Sequence, residues 1–197
     1  MGSIVIDGNI GSGKSSLMEL LYDHMRIPIV TEPVEDWKEL LHNFYEDPKR
    51  WALSLNLHVL TSFNQNSYKG IQLIERSPMA CKYVFAESNY KAGYMSNTDM
   101  LIFDKVFDKF RWQPLATIYI KTDPKVCFER MNNRSRDCEK NVSLEYIEDI
   151  HNHYEKIMQN IVHLIHGKRL FIVDGNQSKE EIASAVKDIL ARYIYTK

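Results

Sequence analysis

Residues 8–15 read Gly8-Asn9-Ile10-Gly11-Ser12-Gly13-Lys14-Ser15, a complete G-x-x-x-x-G-K-S/T run. An apolar, β-rich stretch (residues 3–7) precedes it, and a helical pattern (residues 15–24) with Ser16 in its first turn follows. Glycines at these places let backbone N–H groups turn inward around an anion, and the helix N-terminus adds a favourable partial charge. Lys14 can reach the β- and γ-phosphates of a nucleotide, and the Ser15 hydroxyl can ligate Mg²⁺. Residues 8–16 are therefore candidate ATP contacts. A strand–loop–helix unit of this kind belongs in a parallel sheet, which constrains the rest of the chain.

The remaining pattern agrees. Four further short β-rich runs occupy residues 27–31, 71–74, 116–121 and 170–173, and four of the five runs are nearly continuous in apolar character. Helical patterns lie between them. Val34, Trp37, Leu40, Leu41 and Phe44 mark one, and residues 48 to about 68 another. Ser77-Pro78 is a helix start, Ser143 opens a long helix, and Ser178-x-x-Glu181 is a capping box before the last. Alternating strands and helices predict an α/β fold: one domain over residues 1–197, a parallel sheet covered by helices on both faces. Residues 132–141 break the pattern as a polar, charged loop between two helices.

Composition narrows the function classes. The 197 residues carry 25 Lys+Arg against 26 Asp+Glu, a formal net charge of -1, which disfavours a nucleic acid polymer as the main ligand. No apolar run reaches the roughly 20 residues that span a bilayer. Residues 4–6 start directly into a strand, so no signal peptide and no membrane partner are expected. Three widely spaced cysteines (Cys81, Cys127, Cys138) suit a reducing, cytoplasmic location rather than a disulfide framework or zinc site.

In open parallel sheets, ligands bind beyond the carboxyl ends of the strands. The second run ends in Thr31-Glu32-Pro33, and proline pushes Glu32 into an extended conformation that continues the strand. The third ends in Glu75-Arg76-Ser77. Surface salt bridges are the plain alternative, but two such carboxylates beside a phosphate loop point to chemistry. Glu75 is a candidate Mg²⁺ ligand with Ser15, and Glu32 a candidate general base facing an acceptor hydroxyl. Glu32 would also repel an acceptor already phosphorylated. Arg130, Arg134 and Arg136 fit a basic lid over the transferring phosphoryl group. The histidines at 151, 153, 163 and 166 read as solvated helix positions, and His58 and Met79 as packing residues. Trp37 and Trp51 could line a base pocket but read as core aromatics by default, and Asp174-Gly175-Asn176 reads as a turn on the ligand side.

Taken together, these residues resemble the animal-type deoxyribonucleoside kinases nearly end to end. The likeness rests on the phosphate loop, Thr31-Glu32-Pro33-Val34 with Trp37, and Tyr45-Glu46-Asp47-Pro48 before Trp51-Ala52. It continues through Glu75-Arg76-Ser77 with Tyr83 and Phe85, Glu129-Arg130 into Arg134-Ser135-Arg136, and Val173-Asp174. The resemblance implies a five-stranded parallel sheet of the nucleoside-monophosphate-kinase type, ATP as donor, Mg²⁺, and a homodimer. It implies that Glu32 takes the 5′-hydroxyl proton while Arg76 holds Glu32 and the 5′ region. Tyr45 and Glu139 would grip the sugar 3′-hydroxyl and Phe85 would stack on the base. Trp37, Val59 and Phe63 would line the base pocket, and Asp174 would lie at the ATP site. Asn56 stands where the family carries a base-reading Gln. Phe63 and Cys81 replace an Arg and an Asp of the kinases that prefer deoxycytidine or purines, which points to a pyrimidine pocket.

The expectation is therefore ATP-dependent phosphorylation of a deoxyribonucleoside, thymidine or deoxycytidine favoured. A nucleoside monophosphate kinase would need extra cations at the acceptor, and a non-catalytic nucleotide-binding module would not need Glu32, Glu75 and three lid arginines together.

Overall fold

A computed structural model describes residues 2–25, 27–63, 70–164 and 169–194. Five parallel strands, β1 (Gly2–Gly8), β2 (Ile29–Val30), β3 (Ile71–Glu75), β4 (Ala116–Lys121) and β5 (Arg169–Asp174), form one sheet in the order β2-β3-β1-β4-β5. The expected α/β class and five-stranded sheet are present. Because β1 is central, the loop after it opens at the middle of the sheet's carboxyl edge.

Side chains alternate along each strand, so each strand feeds two cores. Ile4 and Ile6 of β1, with Ile118 and Ile120 of β4, pack against α1 (Lys14–Met25) and α9 (Lys179–Ile194) through Leu17, Met18, Leu21, Val186 and Leu190. On the other face Tyr119 packs on Ile150, Tyr154 and Met158 of α8 (Leu144–Leu164). A third cluster, around Phe44, Leu60, Phe103 and Phe107, joins α2 (Lys38–Glu46), α3 (Pro48–Ser62) and α6 (Asn97–Phe110). Between them runs α4 (Pro78–Ala80), one π-helical stretch (Cys81–Ala86) and α5 (Glu87–Lys91). The remaining helix is α7 (Pro124–Arg134). Among the described residues, no helix is long and apolar enough to cross a membrane.

Several expectations are corrected. The strand expected over residues 27–31 shrinks to Ile29–Val30 at the sheet edge, where Pro28 has no N–H to donate. β5 is the other edge and is not buried on both faces; Ile172 is 59% exposed. The helix expected to reach about residue 68 ends at Ser62, and residues 64–69 lie outside the described ones. The helix at 34–44 begins as a 3₁₀ turn (Val34–Trp37). No helix was expected at 97–110, yet α6 stands there, started by a Ser96–Asp99 capping box. His153 is not solvated: it is buried between Lys91 Nζ (2.9 Å) and the Asp149 carbonyl (2.9 Å). The side chains of His163 and His166 lie outside the described ones. His58 is exposed, with its ring edge toward Trp37, while Met79 packs as expected.

Candidate active site

A cavity of about 430 Å³ opens at the carboxyl ends of β1, β2 and β3. Ile10, Gly11, Gly13, Lys14, Ser15 and Ser16 form one wall, whereas Gly8, Asn9 and Ser12 lie behind it and hold the loop's shape. Asn9 Nδ2 donates to the Ile147 carbonyl of α8 at 2.9 Å, tying the loop to the opposite layer. Gly11 has φ +75°, and a Cβ there would sit 2.1 Å from the Cys127 carbonyl oxygen of α7. Only glycine allows that approach.

Lys14 is buried, its Nζ donating to the carbonyls of Gly8 (3.0 Å) and Asn9 (2.7 Å). Burial, with the nearby Arg76 charge, brings its pKa down to about 8. Ser15 Oγ donates to Glu75 Oε1 at 2.9 Å. These are hard oxygen donors at the phosphate end of the cavity. They fit Mg²⁺, which binds through one or two protein oxygens and takes its other ligands from phosphate and water. Among the described residues no group of three or more His, Cys, Asp and Glu forms an all-protein metal cage.

Glu32 and Arg76 form the centre of the acceptor side. Arg76 Nε lies 2.9 Å from Glu32 Oε1, both side chains largely buried. Arg76 has φ 61°, the left-handed region, and its guanidinium is fixed from behind. Nη1 donates to the Gly8 carbonyl (3.0 Å) and to Tyr154 Oη (2.5 Å), and Tyr154 in turn donates to Asp7 Oδ1 (2.7 Å). Burial raises the Glu32 pKa above the ordinary carboxylate value, while the Arg76 charge opposes that rise. The result is a desolvated carboxylate held in one orientation, suited to accepting a proton from a hydroxyl.

Trp37, Tyr45, Asn56, Val59, Cys81 and Phe85 all face the same cavity, as does Glu139. The Arg76 guanidinium lies 4.8 Å from the Phe85 ring centroid. Asn56 Nδ2 donates to the Ala52 carbonyl at 2.7 Å. Phe63 does not line the cavity. Because α3 ends one residue earlier, its ring leaves the helical face and enters the cluster of Phe44 and Phe103, and its carbonyl accepts from Trp112 Nε1. Trp51 is likewise outside the lining.

The arginines separate. Arg134 Nη2 lies 2.8 and 2.7 Å from the two Glu139 oxygens, and Arg136 Nη1 3.7 Å from one of them; both arginines face the cavity. Arg130 does not line the cavity, but donates to the Gly175 carbonyl at 2.9 Å behind the loop glycine Gly13. The segment 132–141 is not a simple polar loop. α7 runs to Arg134, Ser135 turns left-handed (φ 54°), and a 3₁₀ turn (Asp137–Glu139) buries Cys138 and Glu139. Asp174 is exposed outside the cavity, where its carboxylate accepts from Asn176 N and Nδ2 to cap the turn after β5.

Glu19, Leu55, Asn89 and Tyr146 also line the cavity and escaped the sequence reading. Asn89 follows Cys81 and Phe85 at four-residue spacing, a regularity that marks a shared helical face.

A family model described as deoxynucleoside kinase matches residues 4–191. A fowlpox virus protein named "Probable deoxycytidine kinase FPV151" is 32% identical over 97% of this chain and 89% of that protein. Mitochondrial thymidine kinase 2 of Homo sapiens is 32% identical over 78% of this chain, which spans 63% of that enzyme's length. A solved structure of deoxyadenosine kinase from M. mycoides superposes with a TM-score of 0.85 at 22% identity, covering 97% of this chain and 99% of that one. With the fold, the phosphate loop and the buried carboxylate in place and a family match over almost its whole length, the chain belongs to the deoxynucleoside kinase family, enzymes that transfer phosphate from ATP to a deoxynucleoside.

Proposed function

We propose that this chain phosphorylates the 5′-hydroxyl of a pyrimidine deoxynucleoside, with Glu32 as the general base. The observation that carries the reading is the buried Glu32–Arg76 pair, 2.9 Å apart, on the cavity wall facing Lys14. Glu32 accepts the hydroxyl proton as the oxygen attacks the γ-phosphorus and the bond to the β–γ bridging oxygen breaks, releasing ADP, and Arg76 keeps the carboxylate aimed. Lys14 and the inward N–H groups of the loop hold the donor phosphates, while Arg134 and Arg136 stand where they can reach the transferring group. Ser15 and Glu75 would hold Mg²⁺, which when bound neutralises charge on the phosphate oxygens. Tyr45 and Glu139 serve the sugar, Phe85 the base face, and Trp37, Asn56, Val59 and Cys81 the base edge. Glu32, with Glu139 held by two arginines, disfavours an acceptor already carrying a phosphate.

Residues 1–197 act as one domain in this reading, and the chain pairs as a homodimer. The exposed Leu101 (64%) and Ile102 (43%) of α6 support pairing by offering an apolar face. Three buried free cysteines support a reducing compartment such as the cytoplasm.

Glu32→Gln tests the base. It keeps the size and one hydrogen-bonding oxygen but cannot take the proton. The expected loss in kcat is about 10²-fold or more, with ATP affinity little changed. Near-normal turnover would remove Glu32 from this role.

A further inference from the structure

Asn89 is 3% exposed, lines the cavity, and its Oδ1 is fully buried without a hydrogen-bond partner. Its position is not loose. It lies in α5 directly after the π-helical stretch, and its backbone carbonyl accepts from Tyr94 N (2.8 Å) and Met95 N (3.3 Å). A buried carbonyl without a donor destabilises the empty protein, because it has lost water and gained nothing. A leucine of similar size would avoid that cost. An amide held there calls for a partner arriving with the ligand.

We propose that Asn89 is a specificity residue, whose side-chain carbonyl accepts a hydrogen bond from an exocyclic amino group on the nucleoside base. The proposal rests on the reading of this cavity as the deoxynucleoside site. Two observations give the ligand its polarity. The orphaned atom of Asn89 is an acceptor. Asn56 gives one Nδ2 hydrogen to the Ala52 carbonyl, and its Oδ1 is a second amide acceptor among the residues of the same cavity. Asn89 shares its helical face with Cys81 and Phe85, and the cationic lining residues belong to the other elements: Lys14 to the phosphate loop, Arg76 to Glu32, Arg134 and Arg136 to Glu139. The unpartnered Asn89 carbonyl calls for a base edge that offers an N–H, and the Asn56 carbonyl on the same cavity suits it. The amino group of cytosine supplies two such hydrogens, whereas thymine presents a carbonyl at the equivalent carbon and a single ring N–H. The terminal torsion of asparagine is broad and roughly two-fold, so rotation of the amide is what presents Oδ1 to a bound base.

Asn89→Leu separates this role from a structural one. The expected result is a kcat/KM for deoxycytidine lowered by about 10-fold or more, against less than about 3-fold for thymidine. The KM for ATP should not move, and the Tm of the ligand-free protein should stay level or rise, since an unpaired buried polar group has been removed. A parallel change across all the deoxynucleosides, or none, overturns the proposal. So does a loss confined to thymidine, because the amide would then be donating to the base carbonyl. A fall in ligand-free Tm would place Asn89 in the scaffold instead. If the unsubstituted protein phosphorylates no deoxynucleoside at all, the reading of the cavity itself has failed, and this inference with it.

Discussion

Lys14 has its charge solvated by the Gly8 and Asn9 carbonyls and, more distantly, by the Ser12 hydroxyl, and its burial makes it a pH-sensitive group of the donor site. Its pKa in the empty protein is about 8, below the ordinary lysine value because of burial. Bound phosphates favour the charged form and so raise that pKa. Binding must therefore restore a proton once the pH exceeds about 8, and ATP affinity should weaken above that point by up to about 10-fold per pH unit. Below it, the Lys14 contribution should be flat. Calorimetry at fixed Mg²⁺ between pH 7 and 9.5 checks this, and a constant Kd across the range contradicts it. Residue-scale legibility followed the same logic of locality. Lys14, Ser15, Glu32, Glu75 and Arg76 were readable because each is tied to a short motif at a strand end. Phe63 falls outside the cavity because a helix ending at Ser62 decides where its side chain goes, and Asp174 sits in the turn after β5, accepting from Asn176. Asn89 carried no motif, only a spacing.

Between elements, the closest approach of a glycine to another backbone is that of the phosphate loop to α7. Gly11 meets the Cys127 carbonyl so closely that any Cβ forces the two apart, whereas Gly93, also at positive φ (+73°), has no heavy atom within 4 Å of its Cβ position. Gly93→Ala should cost only the left-handed backbone preference, about 1–2 kcal/mol. Gly11→Ala should cost roughly 3–5 kcal/mol, a Tm drop on the order of 10 °C, with ATP binding lost in parallel. Thermal melts of the pair give the comparison, and equal shifts would show that loop and α7 part easily. The elements themselves were legible where periodicity was long, as in α8 and α9. The unanticipated α6 has its start signal in Ser96 and Asp99, but much of its apolar face (Phe103, Phe107) is explained only by α3 and the π-helical stretch it covers.

At the scale of the molecule, near-neutrality conceals a segregation of charge. Lys14, Arg76, Arg134 and Arg136 converge on one cavity, with Glu32, Glu75 and Glu139 interleaved. Such a site gains stability from its ligands by mass action. ATP with Mg²⁺ at about 100 times its Kd should add about 2.7 kcal/mol, raising Tm by roughly 5–10 °C in a chain of this size. The absence of any shift at millimolar ATP would contradict a donor site in this cavity.

The sequence by itself determined the class of fold, the phosphate loop and the two carboxylates at strand ends. Those features are written in short-range patterns, glycine spacing, proline and apolar runs, whose physical meaning does not depend on distant residues. Tertiary structure alone decided which side chains share the cavity. Arg130 turns behind the loop to Gly175, Arg134 engages Glu139 across a left-handed turn, Arg76 rests on Tyr154 and through it on Asp7, and the Asn89 side-chain carbonyl is left without a donor. Each of these is a contact between elements brought together by packing, and local spacing does not encode which partner a long side chain will meet.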